Sequence, residues 1–292
     1  MKKTFIILPT YNEAGNIEKL INKIFIQQEK TKIWAINILV VDSQSTDGTE
    51  KIVKKLQKKY SNLYLLSTQK QGLGKAYVEG FSYVIEKFNP YLVFEMDADL
   101  SHDPNLIPQF LEKIEKGADF VIGSRYIKGG SIPKHWGFHR KIFSVIGNFI
   151  ARFGFMKLKI TDWTSGYRAI KTWLVRLALP NLKNYSGYVF QVAFLDYAIK
   201  NNAKIEEVPL KFYERQYGVS KINSSQYIAQ TLVYIFLNSS FIKFVVVGFL
   251  GFLIDFGILY FFINKAHIPS TKIWLAQAIS AEIAIINNFV LN

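Results

Sequence analysis

The sequence predicts an α/β fold with a mostly parallel, Rossmann-like sheet, followed by transmembrane helices. Three observations support this prediction. Apolar runs of strand length alternate with amphipathic helical runs in the first part of the chain. Polar residues follow several of these strands directly. Near its end the chain carries an apolar run long enough to cross a bilayer.

Short apolar runs between polar turns are the predicted strands. They are Thr4–Leu8, Ile36–Val41, Leu63–Leu66, Leu92–Met96, Ala118–Gly123 and Ile205–Leu210. Between them, apolar residues recur at helical spacing, as in the run from about Leu73 to Lys87. Helices that alternate with strands return the chain to the same edge of the sheet. The neighbouring strands are therefore predicted to be mostly parallel.

The pattern becomes less regular after Arg125. A pair of glycines, Gly129-Gly130, predicts a loop. Ile142–Met156 is amphipathic and has basic residues at both ends, so an ordinary surface helix and a helix lying on a membrane interface both fit. Ser224–Ser239 is predicted as an apolar-rich helix that leads into the last part of the chain.

The end of the chain has the composition of membrane-spanning helices. Phe244–Ile263 has Asp255 as its only charge, and twenty residues at about 1.5 Å per residue span about 30 Å. Trp274–Leu291 is predicted as a second span, and its polar residues indicate contact with partner helices or lipid headgroups. We therefore predict one domain over residues 1–238 and a transmembrane region over 239–292. No polar tail follows, so we expect a truncated form of a longer protein.

Composition and charge narrow the classes of function. The 36 Lys and Arg exceed the 22 Asp and Glu by 14, which favours an anionic partner: nucleic acid, an acidic membrane face or a phosphate-bearing substrate. Basic residues do not gather on one face with interleaved aromatics, so nucleic acid is not expected. The absence of cysteine excludes disulfides, thiolate zinc sites and a cysteine nucleophile. No signal peptide opens the chain, so we expect the first domain to fold in the cytoplasm.

Polar clusters follow four of the predicted strands. In open α/β sheets the ligand crevice lies beyond the carboxyl ends of the strands, so these clusters are expected to meet there. Each cluster alone is also compatible with ordinary turns and helix caps, as at Thr46 or Asp47. Four in register predict a functional site. The clusters are Pro9–Glu13, Asp42–Gly48, Asp97–Asp99 and Ser124–Tyr126.

The pair Asp97 and Asp99 is the most informative of these clusters. Two carboxylates separated by one residue at the end of a buried strand can point to the same side, and their repulsion favours a cation between them. Oxygen ligands without cysteine or a histidine cluster favour Mg²⁺ or Mn²⁺ over zinc. The four histidines are scattered, and no Ser–His pair predicts a hydrolase.

Eight ordered motifs resemble family 2 glycosyltransferases, and among them the dolichol (polyprenol) phosphate mannose synthases. The motifs are LPTYNE, VVDSQSTDGT, GLGKAYVEG, MDADLSHDP, GSRYIKGG, TSGYRAI, GYVFQ and ERQYGVSK. The resemblance runs from Thr4 to about Asn223 and implies a GT-A fold, inversion at the sugar carbon and a metal-bound donor. From Phe241 onward, the chain resembles the start of a GtrA-like membrane domain.

The resemblance also implies roles for individual residues. Asp97 and Asp99 match the metal ligands, with Ser101 at the next family position. Arg125 matches an arginine near the donor phosphates, and Arg140 one near the acceptor phosphate. The family positions that hold the base and ribose of the donor correspond to Pro9, Tyr11, Glu13 and Asp42. The basic segment that closes over the phosphates in the family corresponds to Arg215, Ser220 and Lys221.

Two positions depart from the family pattern, and two others leave alternatives open. Trp163 replaces the usual Pro before the TSGYR motif, and Ala193 stands where relatives often carry Glu. Asp162 and Arg168 are retained, either for function or as structural ion pairs. The implied reaction needs little base catalysis, because a phosphate monoester is mostly dianionic near neutral pH. It does need cations that bring two phosphates together.

The sequence as a whole predicts transfer of mannose from GDP-mannose to a polyprenyl phosphate by a membrane-anchored or multi-pass enzyme. Its active site is expected to face the cytoplasm, beside the membrane lipid. Two alternatives remain: the same reaction with a UDP-sugar such as UDP-glucose, and a non-catalytic nucleotide- or lipid-binding membrane protein. The motifs do not distinguish one nucleotide base or one sugar from another, so the identity of the donor is undetermined at this point.

Overall fold

The computed structural model describes residues 1–133, 136–185, 187, 189–214 and 224–291, with side chains from residue 229 onward in the last range. Within these ranges seven strands form one sheet in the order β3-β2-β1-β4-β6-β5-β7. Every neighbouring pair is parallel except the two that involve β6, which is antiparallel to β4 and β5. The strands are β1 Lys2–Thr10, β2 Trp34–Asp42, β3 Leu63–Ser67, β4 Leu92–Glu95, β5 Phe120–Ser124, β6 Arg168–Lys171 and β7 Ile205–Pro209.

Helices connect the strands and cover the sheet. α1 shows why these segments are helical: its buried residues Ile17, Leu20, Ile21 and Ile24 recur at intervals of three and four along one face. The helices are α1 Ile17–Ile26, α2 Thr49–Gln57, α3 Leu73–Phe88, α4 Ile107–Glu115, α5 Phe138–Gly154, α6 Thr172–Leu182, α7 Val189–Lys200, α8 Ser224–Asn238, α9 Ser240–Asn264 and α10 Ile273–Leu291.

The predicted α/β fold with a mostly parallel sheet is confirmed, and each of the six predicted strands is present with slightly different ends. The sequence prediction missed β6, which lies between β4 and β5. This strand has only four residues and begins with Arg168, which is fully buried. A charged residue at the start of so short a run hides the strand signal, because buried charges are rare without a partner.

The strand register brings the loops of the predicted site to one edge of the sheet. Thr10, the last residue of β1, is level with Asp42, the last residue of β2. On its other side β1 pairs with β4, with Ile7 level with Glu95. α3 crosses β1 and β2 closely at Gly80, where an added Cβ would lie 2.8 Å from Ile7 Cγ2. The close helix packing fixes the strands from which the site loops emerge.

Two compact units divide the contacts of the chain: Met1–Arg152 with Lys157–Leu232, and Phe153–Met156 with Val233–Asn292. In the second unit α9 and α10 pack on each other, and Ser280 Oγ donates a 2.6 Å hydrogen bond to Asp255 Oδ1. Both helices are long and apolar enough to cross a membrane. They contain the two spans predicted from the sequence, whereas the predicted boundary after residue 238 stays a prediction.

Candidate active site

The loops after β1 and β2 are tied together through Asp42. One carboxylate oxygen of Asp42 accepts hydrogen bonds from Thr10 Oγ1 at 2.8 Å and Ser45 Oγ at 2.6 Å. The other oxygen accepts from Ser45 N at 2.9 Å. Asp42 is 1% exposed, so its carboxylate fixes the shape of this edge. Its predicted contact with the base or ribose of a donor stays a prediction.

A second set of hydrogen bonds joins the same two loops nearer the surface. Asp47 accepts from Ala14 N at 2.9 Å and from Thr49 N at 3.0 Å. Partial burial opposes the negative charge of Asp47, but the hydrogen bonds from Thr49 and Ala14 hold the pKa of this carboxyl below its ordinary value. Asp47 thus connects the start of α2 to the first loop, although the N-cap residue of α2 is Gly48.

Left-handed backbone recurs in the loops at this edge. Asn12, Gln44 and Leu100 have φ values of 58°, 59° and 64°, and they lie after β1, β2 and β4 respectively. Non-glycine residues rarely adopt this region, and such conformations cost energy that the surrounding structure must supply. Their gathering at one edge of the sheet is typical of a functional site.

The Asp97–Asp99 segment begins directly after β4. The Asp97 side chain is one-third exposed, whereas Asp99 is 6% exposed and accepts a 3.0 Å hydrogen bond from Ser101 N. Ser101 is 1% exposed, and its Oγ has no hydrogen-bond partner among the residues that the structure describes. The segment therefore presents two carboxylates together with a hydroxyl oxygen that has no hydrogen-bond partner among the described residues.

His102 holds the backbone of this segment in place. Its Nδ1 accepts a 3.0 Å hydrogen bond from Asp97 N, so Nδ1 carries no proton. The ring stacks on Tyr167 with a centroid distance of 5.0 Å. Burial lowers the pKa of His102 to about 4, a shift that the Asp99 charge opposes and Arg125 reinforces. The imidazole is therefore neutral near pH 7 and positions the Asp97 backbone.

These residues fit a hard divalent cation that takes part of its ligands from a substrate. Across the described ranges, no three His, Asp or Glu side chains converge to hold a metal by themselves. Mg²⁺ and Mn²⁺ sites of this kind use one or two carboxylates and complete the shell with phosphate oxygens and water. Asp97 and Asp99 supply the carboxylates, and the unsatisfied Ser101 Oγ is the kind of oxygen that such a shell uses.

Arg125 forms a bidentate ion pair with Asp162. Arg125 Nε and Nη2 donate to the two oxygens of Asp162, each at 2.7 Å, and Nη2 also donates to Thr164 Oγ1 at 2.7 Å. Burial would raise the pKa of Asp162, but the Arg125 charge and its hydrogen bonds hold it below the ordinary value. Asp162 is fully buried and Arg125 nearly so. Of the two alternatives for Asp162, the structural ion pair is present.

Arg168 is the second buried arginine near the site. It lies opposite Glu95 of the neighbouring strand β4, with 3.9 Å between Arg168 Nε and Glu95 Oε2. Its Nη2 donates to the Trp163 carbonyl at 3.0 Å. Burial raises the pKa of Glu95 to about 7, whereas the Arg168 charge and the neighbouring Gln191 amide lower it. For Arg168 too, a buried acidic partner is present, which fits the structural alternative.

A row of aromatic rings joins Arg140 to the Asp97–Asp99 segment. The guanidinium carbon of Arg140 lies 4.0 Å from the Trp136 ring centroid, and Trp136 packs edge-on against Phe212 at 5.7 Å. Phe212 in turn packs edge-on against His102 at 5.5 Å. This row of rings thus places the exposed guanidinium of Arg140 on the side of the site where His102 lies.

The remaining predicted residues divide between described and masked parts of the chain. Pro9 lies near the end of β1, and Tyr11 and Glu13 lie in the loop that follows it, where the Lys70 ammonium sits 3.8 Å from the Tyr11 ring centroid. Glu13 accepts a 2.8 Å hydrogen bond from Asn16 Nδ2. Their contacts with a donor stay predictions. The predicted basic segment lies outside the described residues: Arg215, Ser220 and Lys221.

The sequence prediction missed His102 as a member of the site. Of the four histidines only His135 and His139 are near each other in the sequence, which argued against a histidine cluster. A signal was present in the position of His102, three residues after Asp99 in a turn that begins at the end of a strand. Its packing against Tyr167 and Phe212, which are distant in the sequence, was not visible from that position.

Two known families match the chain in succession. Residues 5–176 match the family described as glycosyl transferase family 2. Residues 243–292 match the GtrA/DPMS transmembrane domain. The second match, together with α9 and α10, identifies the chain as a membrane protein.

Curated relatives cover most of the chain. A polyprenol monophosphomannose synthase of Mycolicibacterium smegmatis is 35% identical over 226 residues, which are 77% of this chain and 82% of the relative. A dolichol-phosphate mannosyltransferase of Pyrococcus furiosus is 32% identical over 301 residues, 99% of this chain and 80% of the relative. An undecaprenyl-phosphate mannosyltransferase of Micrococcus luteus is 35% identical over 222 residues, 76% of this chain and 88% of the relative.

Solved structures share the fold at low identity. Glucosyl-3-phosphoglycerate synthase from Mycobacterium tuberculosis, in complex with phosphoglyceric acid, has a TM-score of 0.59 and 19% identity over 80% of both chains. The same enzyme with Mn²⁺, uridine diphosphate and phosphoglyceric acid has a TM-score of 0.59 and 18% identity, over 80% of this chain and 78% of that one. The predicted GT-A fold is thereby confirmed. With the motifs, the sheet and these relatives established, the chain belongs to glycosyl transferase family 2.

Proposed function

We propose that this glycosyltransferase moves mannose from GDP-mannose to a polyprenyl phosphate, with inversion at the sugar carbon. The Asp97–Asp99 segment carries the proposal: two carboxylates and the unsatisfied Ser101 Oγ at the carboxyl edge of the sheet. The three relatives are named as mannosyltransferases or mannose synthases on polyprenyl-type phosphates, which favours this reaction over other transfers within the family.

Asp97, Asp99 and Ser101 are the residues that would hold the divalent metal. When bound, Mg²⁺ or Mn²⁺ supplies positive charge that neutralises the leaving diphosphate. The protein keeps the segment in shape before the substrate arrives. Ser101 N fixes the Asp99 carboxylate, and the neutral His102 fixes the Asp97 backbone. Such preorganisation lowers the cost of reorganising the site during reaction.

In the transfer step a phosphate oxygen of the acceptor forms a bond to the anomeric carbon as that carbon's bond to the donor diphosphate breaks. GDP leaves with the electron pair. The acceptor needs no general base because its phosphate is already mostly dianionic near neutral pH. We assign the acceptor phosphate to Arg140 and Ser220, and the donor phosphates to Arg125, Arg215 and Lys221. Guanidinium groups match phosphate oxygens geometrically, and positioned cations offset the repulsion between two phosphates. Arg125 would act through its charge, because its Nε and Nη2 are bonded to Asp162.

The acceptor lipid requires that the site work beside a membrane. α5 exposes a set of apolar side chains and carries basic residues, which suits a helix lying on an anionic lipid surface. Phe138 is 73% exposed and Phe149 is 55% exposed. We assign residues 1–238 to the catalytic domain and 239–292 to the transmembrane region. The catalytic domain faces the cytoplasm, where nucleotide-sugars are made.

A transfer assay tests this function directly. The full chain in detergent is offered radiolabelled GDP-mannose or UDP-glucose, separately, with a polyprenyl phosphate and Mn²⁺ or Mg²⁺. We expect label in a glycolipid from GDP-mannose that EDTA abolishes. Label from UDP-glucose alone would establish the alternative donor. No glycolipid from either donor, with nucleotide binding retained, would refute the proposed acceptor.

A further inference from the structure

Helix α5 exposes apolar side chains on one side and buries a polar side chain on the other. Val145, Ile146 and Phe149 belong to one stripe along the helix, and each is about half exposed. Asn148 and Ala151 lie on the opposite side and are buried. A helix of a water-soluble domain normally faces the core with its apolar stripe. The chain is a membrane protein, so a lipid surface is the surroundings that the exposed stripe fits.

The buried side of α5 contacts the segment that follows Asp162. Asn148 Oδ1 accepts a 2.7 Å hydrogen bond from Trp163 N, and Asn148 Nδ2 donates to Thr164 Oγ1 at 3.3 Å. Asn148 Nδ2 also donates to the carbonyl of Ser144, one turn earlier on the helix, at 2.8 Å. One buried amide therefore joins α5 to the two residues that come directly after the partner of Arg125.

Hydrogen bonds from α5 reach Arg125 from two directions. Thr164 Oγ1, which the Asn148 amide holds, also accepts the 2.7 Å hydrogen bond from Arg125 Nη2. Ser144 Oγ lies 2.6 Å from the hydroxyl of Tyr126, which follows Arg125 in the chain. The helix is thus connected to the guanidinium through Asn148 and to the adjacent backbone through Ser144.

These contacts lead from a surface suited to lipid to a cation assigned to the donor phosphates. We propose that Asn148 is a positioning residue through which contact between α5 and lipid sets the Arg125–Asp162 pair and raises the affinity for the donor nucleotide. Lipid that buries the apolar stripe favours the arrangement of α5 in which Asn148 holds Trp163 and Thr164, and a surface that favours one arrangement raises its population. This inference rests on the proposed function, which assigns the donor phosphates to Arg125.

Nucleotide binding to the full chain in nanodiscs of phosphatidylcholine and phosphatidylglycerol tests the coupling. The Kd of GDP is measured with Mn²⁺, and that of UDP in parallel, for wild type, Ile146→Glu, Asn148→Leu and the double variant. Ile146→Glu places a negative charge in the apolar stripe. Ile146→Lys is the matched control, because a lysine keeps its stem in the apolar layer and its ammonium among the lipid phosphates. Residues 146 and 148 do not face each other on a helix.

We expect Ile146→Glu and Asn148→Leu each to raise Kd about fivefold, and Ile146→Lys to leave it unchanged. The double variant should bind no more weakly than Asn148→Leu, because the path from lipid to Arg125 is already broken. A direct repulsion between the new carboxylate and the nucleotide would persist in the double variant. A purely structural role of Asn148 would likewise leave the effect of Ile146→Glu in place.

Single effects that multiply in the double variant would therefore overturn the coupling. An unchanged Kd for either Ile146→Glu or Asn148→Leu would overturn it as well. In both cases wild type still binds nucleotide, so the proposed function stands and this inference alone is wrong. If wild type binds neither nucleotide with Mn²⁺, the proposed function fails and the coupling fails with it.

Discussion

Replacing Arg125 with Ala should destabilise the catalytic domain strongly, because it leaves Asp162 buried without its cation. Asp162 is fully buried, and the substitution removes two side-chain hydrogen bonds of 2.7 Å from its carboxylate. Removing one partner of a buried ion pair costs about 3–5 kcal/mol. For a domain of this size that corresponds to a fall in Tm of roughly 6–20 °C.

Thermal unfolding of the full chain in detergent, followed by circular dichroism, measures the effect. Arg125→Lys is the matched control, since it keeps the charge but replaces the guanidinium fork by a single ammonium group. We expect its Tm to lie between those of wild type and Arg125→Ala. A Tm for Arg125→Ala within about 2 °C of wild type, less than about 1 kcal/mol, would refute the structural ion pair.

The same pair predicts the direction of a pH effect. The pKa of Asp162 is lower in the folded protein than its ordinary value, so the pair contributes its full stability above the unfolded pKa of about 4. That contribution is lost as the pH falls through the folded pKa. The difference in Tm between wild type and Arg125→Ala should therefore be constant near neutral pH and shrink in acid. A difference that grows as the pH falls would contradict the assignment.

Three further substitutions test other parts of the site. Gly130→Ala would place a Cβ against the backbone of Ser124 and Arg125, so we expect a loss of about 1–3 kcal/mol in unfolding free energy, seen as a lower Tm. His102→Phe keeps the aromatic packing but removes the acceptor for Asp97 N, and we expect weaker Mn²⁺-dependent nucleotide binding by titration calorimetry with a smaller change in Tm. Ser101→Ala should weaken Mn²⁺ binding without lowering Tm, because its hydroxyl has no described partner to lose.

The sequence was sufficient for the elements that follow simple periodic rules. Strands such as Ile36–Val41 are apolar apart from Asn37, as is typical of strands buried on both faces, and the helix predicted from Leu73 begins there in the structure. The positions of the carboxyl ends of the strands indicated where the site would form, because parallel strands direct these ends to one edge of the sheet. Asp97 and Asp99 could therefore be predicted as site residues, and their role as metal ligands stays a prediction.

The sequence did not predict which residues far apart along the chain pair with each other. Glu95 and Arg168 are 73 positions apart, as their residue numbers give, and each alone marks a break in an apolar run. Only their pairing across β4 and β6 makes both tolerable in the core. The same holds for Arg125, whose motif suggested a phosphate ligand and whose bidentate contact with Asp162 depends on a turn 37 residues later. Neither partner is specified by local propensity.

The most direct test of a metal-dependent transfer at Asp97 and Asp99 is the turnover of Asp99→Ala at saturating Mn²⁺, with a polyprenyl phosphate and the donor that wild type uses. Asp103→Asn, which removes a neighbouring carboxylate but keeps its capping oxygen, serves as the control. We predict that Asp99→Ala lowers turnover by about a hundredfold or more while its circular dichroism spectrum and that of the control match wild type. Near wild-type turnover of Asp99→Ala would contradict the proposed role of this aspartate.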